Sequence, residues 1–313
     1  MLIEITNHKH KNNNNITNTQ ELNYRVKHFT KNGKTIELHN TDCLTGMDTL
    51  PDKHFDVVVT SPPYNLGIQY NSYNDDIPRN KYLEWIEKVV IMIKQKMKDD
   101  GSFFLNIGSS PTNPSLPFEI ASVLSSHLTL QNTIHWIKSI YIENESYGNK
   151  VSLNIGHYKP INSNRFLNDN HEYIFHFTKS GNIKLVRLAI GVPYKDVGNI
   201  NRWKRKTAGE NSLRCRGNCW YIPYKTIRSR DKERPHPATF PIEIPENCIK
   251  LHSITNNNEM VVLDPFMDIG ATSLASYKLG INCVGFETDT NYFDTNIQLL
   301  EDEFAVKTLD SWK

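Results

Sequence analysis

The stretch FDVVVTSPPYNLG, residues 55–67, begins as a β-strand and ends in residues that no strand can include. Its valines form the β-branched apolar run that is typical of a strand buried on both faces of a parallel sheet. Pro62 and Pro63 then remove two backbone donors and fix two φ angles. We therefore predict a stiff loop at the carboxyl edge of a sheet, which holds the hydroxyl group of Ser61 beside the ring of Tyr64.

The composition predicts a globular intracellular protein. The chain has 313 residues, 38% of them apolar, which is enough for one large α/β domain with an insertion. It shows no long apolar run and no signal peptide, so we expect no membrane association and a location in the cytoplasm of a prokaryote, at the nucleoid, or in the nucleus of a eukaryote. The five cysteines are scattered and odd in number, which favours reduced thiols, and we predict no metal site.

Charge is distributed unevenly along the chain. The formal net charge is only +2, but residues 138–234 contain 19 Lys and Arg against 8 Asp and Glu, a net charge of +11. A concentrated basic region of this kind indicates a polyanionic partner that is bound by one part of the protein.

Strand and helix patterns divide the chain into four parts. Residues 1–20 are rich in asparagine and predict a disordered leader. Residues 21–138 and 236–313 alternate strands with helices, as a doubly wound parallel sheet requires. Between them, residues 139–235 are mostly polar loop with one clear strand near 171–179.

The longest helical pattern covers residues 79–100. Its apolar residues recur on one helical face, and Gly101 stands where such a helix would end. The segment SFFLNIG that follows predicts the next strand of the sheet.

A second strand-and-loop pattern, VVLDPFMDIGAT at residues 261–272, predicts a ligand loop. Asp264 ends the strand, and the turn at Gly270 is typical of loops that bind a nucleotide or S-adenosylmethionine. Glu287 ends the next strand, where a carboxylate can accept both hydroxyl groups of a ribose. Ligands of doubly wound sheets lie outside the carboxyl ends of the strands, so this loop and the Ser61 loop should face one crevice. An ordinary strand–turn–helix with a surface acid is the alternative interpretation.

Together these patterns resemble the amino-methyltransferases of DNA, whose signature is Ser, Asp or Asn followed by Pro-Pro and then Tyr or Phe. The resemblance rests on residues 61–64 and, in that family's order, on HEYIFHFTKSG, GNCWYIP, HPATFPIEIPENCI and VVLDPFMDIGAT. The pattern is similar to the permuted beta group, in which the catalytic motif comes first, a target-recognition region follows, and the cofactor loop lies near the carboxyl terminus.

This resemblance implies a Rossmann-like α/β methyltransferase with a mostly parallel, doubly wound sheet and a basic target-recognition insertion. Residues 21–138 would form the catalytic half, 139–235 the target-recognition region, and 236–313 the cofactor-binding half. The implied cofactor is S-adenosyl-L-methionine, and the implied partner is double-stranded DNA with an extruded target base. A restriction endonuclease is a further candidate partner, and we expect a monomer or a homodimer.

The resemblance assigns catalysis to Ser61, Pro62, Pro63 and Tyr64. An exocyclic amine is a poor nucleophile because its lone pair is delocalised into the ring of the base. The Ser61 hydroxyl and the Pro62 carbonyl can accept the two amino hydrogens and so free the lone pair, while Tyr64 stacks on the extruded base. The prolines hold these acceptors rigid before the substrate arrives.

The resemblance also assigns residues to the cofactor. Asp42 is placed near the adenine amine, and His236 and Thr239 close over the methionine end. The methionine and ribose parts fall to Asp264, Phe266, Gly270 and Glu287. The family's loop usually reads Asp-Pro-Phe-x-Gly-x-Gly-Thr, whereas Asp268 and Ala271 replace its first glycine and its threonine here. A catalytically inactive DNA-binding relic of the same fold is therefore one alternative.

The identity of the target base has two candidates. None of the cysteines follows a proline, so the Pro-Cys nucleophile of ring-carbon methyltransferases is absent. The Ser-Pro-Pro-Tyr form resembles the cytosine-N4 enzymes, whereas adenine-N6 enzymes more often have Asp or Asn in the first position. The sequence thus favours cytosine N4, with adenine N6 as the alternative.

The basic segment interleaves cations with aromatic rings, a pattern that suits phosphate contacts and base stacking. The aromatic residues are Trp203, Trp220, Tyr221 and Tyr224. The predicted DNA-binding cations are Arg202, Lys204, Arg205, Lys206, Arg214 and Arg216. A merely solvated charged face is the alternative interpretation.

Overall fold

The computed structural model describes residues 2–10, 22–68, 71, 73–143, 145–146, 149–150, 152–156, 163–194, 213–223, 239–252 and 259–310. The strands within these ranges are β1 (Leu2–His10), β2 (Leu22–Lys31), β3 (Lys34–His39), β4 (Phe55–Thr60), β5 (Met97–Ile107), β6 (Thr129–Ile137), β7 (Ile140–Ile142), β8 (Glu145–Ser146), β9 (Asn149–Lys150), β10 (Leu153–Ile155), β11 (His171–Thr178), β12 (Val192–Pro193), β13 (Leu213–Arg214), β14 (Cys219–Tyr221), β15 (Val261–Asp264) and β16 (Asn282–Phe286).

Helices alternate with these strands in both halves of the chain. They are α1 (Cys43–Asp48), α2 (Arg79–Lys96), α3 (Leu116–Ser125), α4 (Glu243–His252), α5 (Ala271–Leu279) and α6 (Thr290–Asp310), with one 3₁₀ turn at Arg187–Ile190. None of the helices in the described ranges is both long and apolar enough to cross a membrane.

Ten strands form one sheet in the order β1-β2-β3-β16-β15-β4-β5-β11-β6-β14. The five central strands from β3 to β5 are all parallel to one another. Their carboxyl ends therefore meet at one edge, which is where doubly wound sheets bind ligands. This mixed sheet with a parallel centre confirms the predicted α/β fold class.

The central strands are buried on both faces, as their apolar runs predict. Val57 and Val59 of β4 pack on one side, in the same core cluster as residues of α4 and α5. Val58, between them, packs on the other side with residues of α1, α2 and α3. All three valines are at most 1% exposed. Helices thus cover both faces of the sheet, and the loops at its edge are left to form the site.

Helix α2 ends earlier than the sequence indicates. It stops at Lys96, and Gly101 lies inside β5 instead of terminating the helix. The ammonium group of Lys96 is held by the carbonyl oxygen of Leu50 at 2.7 Å and by a carboxylate oxygen of Asp52 at 2.8 Å. Glycine is needed at 101 for packing, because a Cβ there would overlap Cγ of Met97.

The leader prediction does not hold for Leu2–His10. These residues form β1, which pairs with β2 in antiparallel register along its whole length. The prediction relied on the asparagine-rich composition of residues 1–20, whereas a strand at the edge of a sheet can be held by backbone hydrogen bonds. Residues 11–21 lie outside the described part of the chain.

The predicted recognition region contributes two strands to the main sheet. Strand β11 lies between β5 and β6 and is antiparallel to both, and β14 pairs with β6. Trp220 of β14 is fully buried, and its indole N–H donates to the carbonyl oxygen of Gly217 at 3.1 Å. Its predicted role in stacking on nucleic acid is therefore wrong, because the ring belongs to the protein core. Trp203 and Tyr224 lie outside the described residues.

Candidate active site

The Ser-Pro-Pro-Tyr loop leaves the sheet directly after β4 and is fixed from behind. The hydroxyl group of Tyr82, a fully buried residue of α2, donates to the carbonyl oxygen of Pro63 at 2.7 Å. The buried carboxylate of Asp75 accepts hydrogen bonds from the backbone N–H groups of Asn65 at 2.7 Å and Leu66 at 3.0 Å. Burial nevertheless raises the pKa of Asp75 above its usual range. These contacts restrain the loop from behind, in agreement with the stiff loop that Pro62 and Pro63 predict.

Polar contacts connect the loop to the neighbouring strands. The hydroxyl oxygens of Ser61 and Tyr64 lie 2.8 Å apart, and the Tyr64 hydroxyl donates to Glu172 of β11 at 3.0 Å. The Nδ2 group of Asn106, in β5, donates to Glu172 at 2.7 Å and to the Tyr64 oxygen at 2.8 Å. Lys138, which follows β6, forms an ion pair with the same carboxylate. Three adjacent strands therefore support one hydroxyl pair.

A cleft opens along the carboxyl edge of the central strands. Seven of the predicted site residues line it, namely Asp42, Ser61, Pro62, Pro63, Tyr64, Phe266 and Glu287. The two substituted loop positions, Asp268 and Ala271, also line the cleft. The geometry thus brings the predicted catalytic loop and three of the seven predicted cofactor residues, Asp42, Phe266 and Glu287, to one place.

Carboxylates give the cleft its electrostatic character. Oδ1 of Asp42 caps α1 by accepting from the N–H groups of Leu44 at 3.0 Å and Thr45 at 3.1 Å. Glu287 accepts from the N–H group of Asp268 at 3.0 Å and from that of Asp289 at 2.7 Å. Burial, together with the charges of Asp268 and Asp289, raises the pKa of Glu287 to about 7. An acidic cleft of this kind suits a ligand with hydroxyl donors and positive charge.

Asp264 and Gly270 do not line the cleft but support the loop behind it. Asp264 is 1% exposed and accepts from the Thr60 hydroxyl and from the N–H group of Phe266 at 3.1 Å. Burial raises the pKa of Asp264 to about 6. Gly270 has a φ of 99°, and a Cβ there would overlap Oδ1 of Asn296. Both residues hold the loop against the body of the protein.

Asp268 adopts the backbone conformation that the family's glycine would favour. Its φ is 54°, in the left-handed region that aspartate tolerates better than most residues. Its Oδ1 accepts from the N–H group of Ile269 at 2.5 Å. This local hydrogen bond allows the turn to keep its conformation with aspartate in place of glycine.

For Asp268→Gly, we expect cofactor affinity to change by about tenfold at most, because the carboxylate is already engaged by its own turn. Calorimetric titration with S-adenosylmethionine measures this change. Asn32→Gly is the matched control, since Asn32 has a φ of 52° in the β2–β3 turn, away from the cleft. Undetectable binding by the wild type, with recovery in Asp268→Gly combined with Ala271→Thr, would instead show that the carboxylate repels the cofactor.

Sequence reasoning missed several residues of the site. Trp85 of α2 lines the cleft with its ring 5.4 Å from that of Phe266, and its position in an amphipathic helix suggested only core packing. Asn106, Lys138 and Glu172 belong to three separate strand patterns, so their meeting depends on sheet order. One signal was available, because Glu172 is a charge within an otherwise apolar and aromatic strand.

The remaining predicted residues are placed elsewhere or lie outside the described ranges. Arg214 is exposed in β13, and Nε of Arg216 donates to the carbonyl oxygen of Ile190 at 3.1 Å. Thr239 is half-buried beside Phe240, which lines the cleft. The predicted residues that fall outside the described ranges are Arg202, Lys204, Arg205, Lys206 and His236. In the described part of the chain, no three His, Cys, Asp or Glu side chains form a group that could hold a metal ion.

The fold and the cleft at the sheet edge are those of a doubly wound α/β protein with a ligand site, and the chain belongs to the DNA methylase family. The family model described as DNA methylase (N6_N4_Mtase) matches residues 55–298. The type II methyltransferase M.BglII of Bacillus subtilis is 26% identical over 85% of this chain and 69% of its own. M.ScaI of Streptomyces caespitosus is 28% identical over 86% and 82%, and the DNA adenine methyltransferase YhdJ of Escherichia coli is 22% identical over 87% and 84%.

Solved structures show the same fold. The PvuII DNA methyltransferase, described as cytosine-N4-specific, aligns with a TM-score of 0.59 at 16% identity and covers 83% of this chain and 84% of its own. A protein of Thermus thermophilus, solved as a complex with S-adenosyl-L-methionine, aligns with a TM-score of 0.52 at 19% identity over 83% and 90%. At these identities the alignments establish the fold.

Proposed function

We propose that the protein is a site-specific DNA methyltransferase that transfers a methyl group from S-adenosyl-L-methionine to the exocyclic N4 amine of cytosine. One observation carries the proposal: the hydroxyl group of Ser61 stands on a rigid loop at the edge of an acidic, partly aromatic cleft. Membership of the DNA methylase family supports the reaction class. The order of the loops along the chain supports placement in the permuted beta group.

The residues of the cleft fit S-adenosyl-L-methionine in their chemistry. Glu287 offers carboxylate oxygens for ribose hydroxyl groups, and Asp42 offers an acceptor for an adenine amine. Phe266 and Trp85 supply apolar surface, and the acidic lining favours a ligand that carries cationic groups. When bound, the cofactor supplies an electrophilic methyl group on a sulfonium sulfur. We assign support of the loop to Asp264 and Gly270, and closure over the methionine end to His236 and Thr239.

The catalytic residues act on the amine of the target base. Ser61 and the Pro62 carbonyl accept its two hydrogens, which favours a pyramidal nitrogen with a free lone pair. Tyr64 provides a ring on which the extruded base stacks. Because Tyr82 and Pro63 fix the loop, these groups need little rearrangement when the base enters.

The choice between cytosine and adenine rests on the first residue of the motif. Serine in that position is typical of the cytosine-N4 enzymes, and the likeness of the fold to the PvuII enzyme is compatible with this choice. The relation to YhdJ, described as a DNA adenine methyltransferase, keeps adenine N6 as the second candidate. An inactive DNA-binding relic is the third candidate, and the retention of Ser61, Tyr64 and Glu287 in the cleft argues against it.

Mass spectrometry of nucleosides tests the proposal directly. DNA of mixed sequence is incubated with the purified protein and S-adenosyl-L-methionine, then digested to nucleosides. N4-methylcytosine is the expected product. N6-methyladenine would select the second candidate, and DNA binding without any methylated nucleoside would select the relic.

DNA affinity is expected to fall steeply as salt concentration rises. The region of net charge +11 must displace condensed cations from phosphates when it binds. Reversal of two of its cations, in Arg205→Glu with Lys206→Glu, should weaken binding to all sequences alike and flatten the dependence on salt.

Lys88→Glu with Lys94→Glu is the matched control for this measurement. It changes the net charge by the same amount at exposed positions of α2, outside the basic region. Fluorescence anisotropy across a salt series distinguishes the two variants. Equal weakening by both pairs would mean that net charge, and not the basic region, governs the affinity.

We further propose that the protein acts in the cytoplasm, as a monomer or homodimer, on double-stranded DNA. The bacterial type II methyltransferases among its relatives support this location. A restriction endonuclease is the partner we would seek first, since those relatives are named as type II methyltransferases. Sequencing of protected sites in methylated DNA identifies the recognition sequence.

A further inference from the structure

Glu172 is a buried carboxylate that does not line the cleft but is connected to it. It is 8% exposed and lies opposite Trp136 in the register of β11 and β6. Lys138 forms an ion pair with Oε1, while Asn106 and Tyr64 donate to Oε2 at 2.7 and 3.0 Å. A buried carboxylate with this many partners fixes the directions of the hydrogen bonds around it, because an ionised carboxylate only accepts.

The carboxylate is kept ionised by its surroundings. Burial alone would raise the pKa of Glu172, but the charge of Lys138 and the hydrogen bonds of its three partners outweigh burial and lower that pKa below its usual range. The Nδ2 group of Asn106 must therefore face the carboxylate, since its own oxygen would be repelled there. This orientation leaves Oδ1 of Asn106 without a hydrogen-bond partner within the described part of the chain.

The direction of each remaining hydrogen bond follows in turn. Tyr64 has one hydroxyl hydrogen, and it goes to Glu172 because that carboxylate cannot donate. The Tyr64 oxygen then accepts from Asn106 at 2.8 Å. Its contact with Ser61, also at 2.8 Å, must be a hydrogen bond that Ser61 donates. Nδ2 of Asn106 also lies 3.3 Å from the Ser61 oxygen, but its two hydrogens point along the shorter contacts to Glu172 and Tyr64. A lone pair of the Ser61 oxygen is thereby left to accept a hydrogen from a substrate.

We propose that Glu172 is a positioning residue that makes Ser61 an acceptor, and not a donor, toward the target amine. This inference rests on the proposed function, amino-methyl transfer to DNA. The direction matters because a Ser61 hydroxyl that donated to the amine would occupy the lone pair that has to attack the methyl group. Glu172 acts on the substrate only through Tyr64 and Ser61.

Glu172→Gln in the full-length protein tests this role. Glutamine keeps the shape of the side chain, but its amide can donate to Tyr64 and so reverse the chain of hydrogen bonds. We expect the single-turnover rate of methyl transfer, with DNA and cofactor saturating, to fall about tenfold. The dissociation constants for cofactor and DNA should stay within about twofold, since Glu172 is buried and does not line the cleft. Glu119→Gln is the matched control. It removes a carboxylate of α3 that pairs with Arg79 at 2.9 Å, and the rate should stay unchanged.

Two further variants keep the test decisive if loss of the Lys138 ion pair impairs folding. Tyr64→Phe retains the ring and the ion pair but removes the linking hydroxyl group, so it should also lower the rate. Adding Glu172→Gln to Tyr64→Phe or to Ser61→Ala should cause no further loss, because the three residues act as one unit.

The outcomes separate this inference from the proposed function. Wild-type protein that methylates no amine would overturn both. Active wild-type protein with an equally active Glu172→Gln variant would overturn the inference alone. Two results would show that Glu172 only stabilises the structure. One is a double variant whose loss of rate equals the product of the two single losses. The other is a fall in cofactor affinity as large as the fall in rate.

Discussion

Ser61→Ala lowers the rate of methyl transfer by about a hundredfold to a thousandfold, the range found when one preorganised polar group is removed from a transition-state site. The reason is that the amine loses the acceptor that draws one hydrogen out of the plane of the base. Affinity for the cofactor should hardly change, because the proposed contact of Ser61 is with the amine and not with the cofactor. Single-turnover kinetics with saturating DNA and calorimetric titration with the cofactor measure the two quantities separately.

Ser125→Ala is the matched control for this variant. Ser125 lies on α3, and its hydroxyl donates only to the carbonyl oxygen of Ala121 among the described contacts. Its removal deletes the same atom without touching the cleft, so the rate should stay at the wild-type value. Turnover by Ser61→Ala at the wild-type rate would remove Ser61 from the mechanism, whatever base is methylated.

Glu287→Gln weakens cofactor binding by up to about a hundredfold at pH 8. In the proposed function the ionised carboxylate of Glu287 accepts both ribose hydroxyl groups, which the protonated form does less well. The pKa of Glu287 is raised to about 7 by burial first and by neighbouring acids second. The affinity of the wild type should therefore rise with pH until pH 7 is passed and then level off. Below pH 7 the affinity for the cofactor should fall by up to about tenfold for each pH unit, because binding to the ionised form releases one proton.

The glutamine variant removes the titration and should show no pH dependence from this site. Thermal denaturation adds a second readout. A carboxyl group whose folded pKa is raised stabilises the fold below its unfolded pKa, and this contribution is lost as pH rises through the folded value. The melting temperature of the wild type should thus fall from pH 5 to pH 8 by more than that of Glu287→Gln, which has no carboxyl group to titrate at this site.

Glu301→Gln serves as the control for both measurements. Glu301 lies on α6 and pairs with Lys27 at 3.4 Å, away from the cleft. A wild-type affinity that is flat between pH 5 and pH 8 would mean that Glu287 does not meet the cofactor as a carboxylate.

Local patterns in the sequence predicted the parts of the fold that local chemistry determines. The β-branched run of β4, the prolines after it and the loop after β15 each carry their signal within a dozen residues. Since central parallel strands share one carboxyl edge, these local signals also placed Ser61, Phe266 and Glu287 in one cleft.

Contacts between distant segments could not be predicted in the same way. The position of β11 between β5 and β6 depends on which strands pair, and no periodicity encodes that choice. Trp220 was misinterpreted for the same reason, because burial by β6 and not its basic neighbours determines its environment. The end of α2 at Lys96 likewise depends on pairing of Met97 with Phe55.

The place of β11 in the main sheet bears on how variants of this protein could be engineered or could arise by recombination. Exchanging residues 139–235 as one cassette, to graft a new sequence preference, would also replace Glu172 and β11, a strand paired on both sides in the main sheet. A chimera that keeps His171–Thr178 and exchanges only the segments on either side of it leaves the support of Tyr64 intact. The unit that can be swapped is therefore two separate pieces of chain, and crossovers that respect this division should yield active hybrids more often.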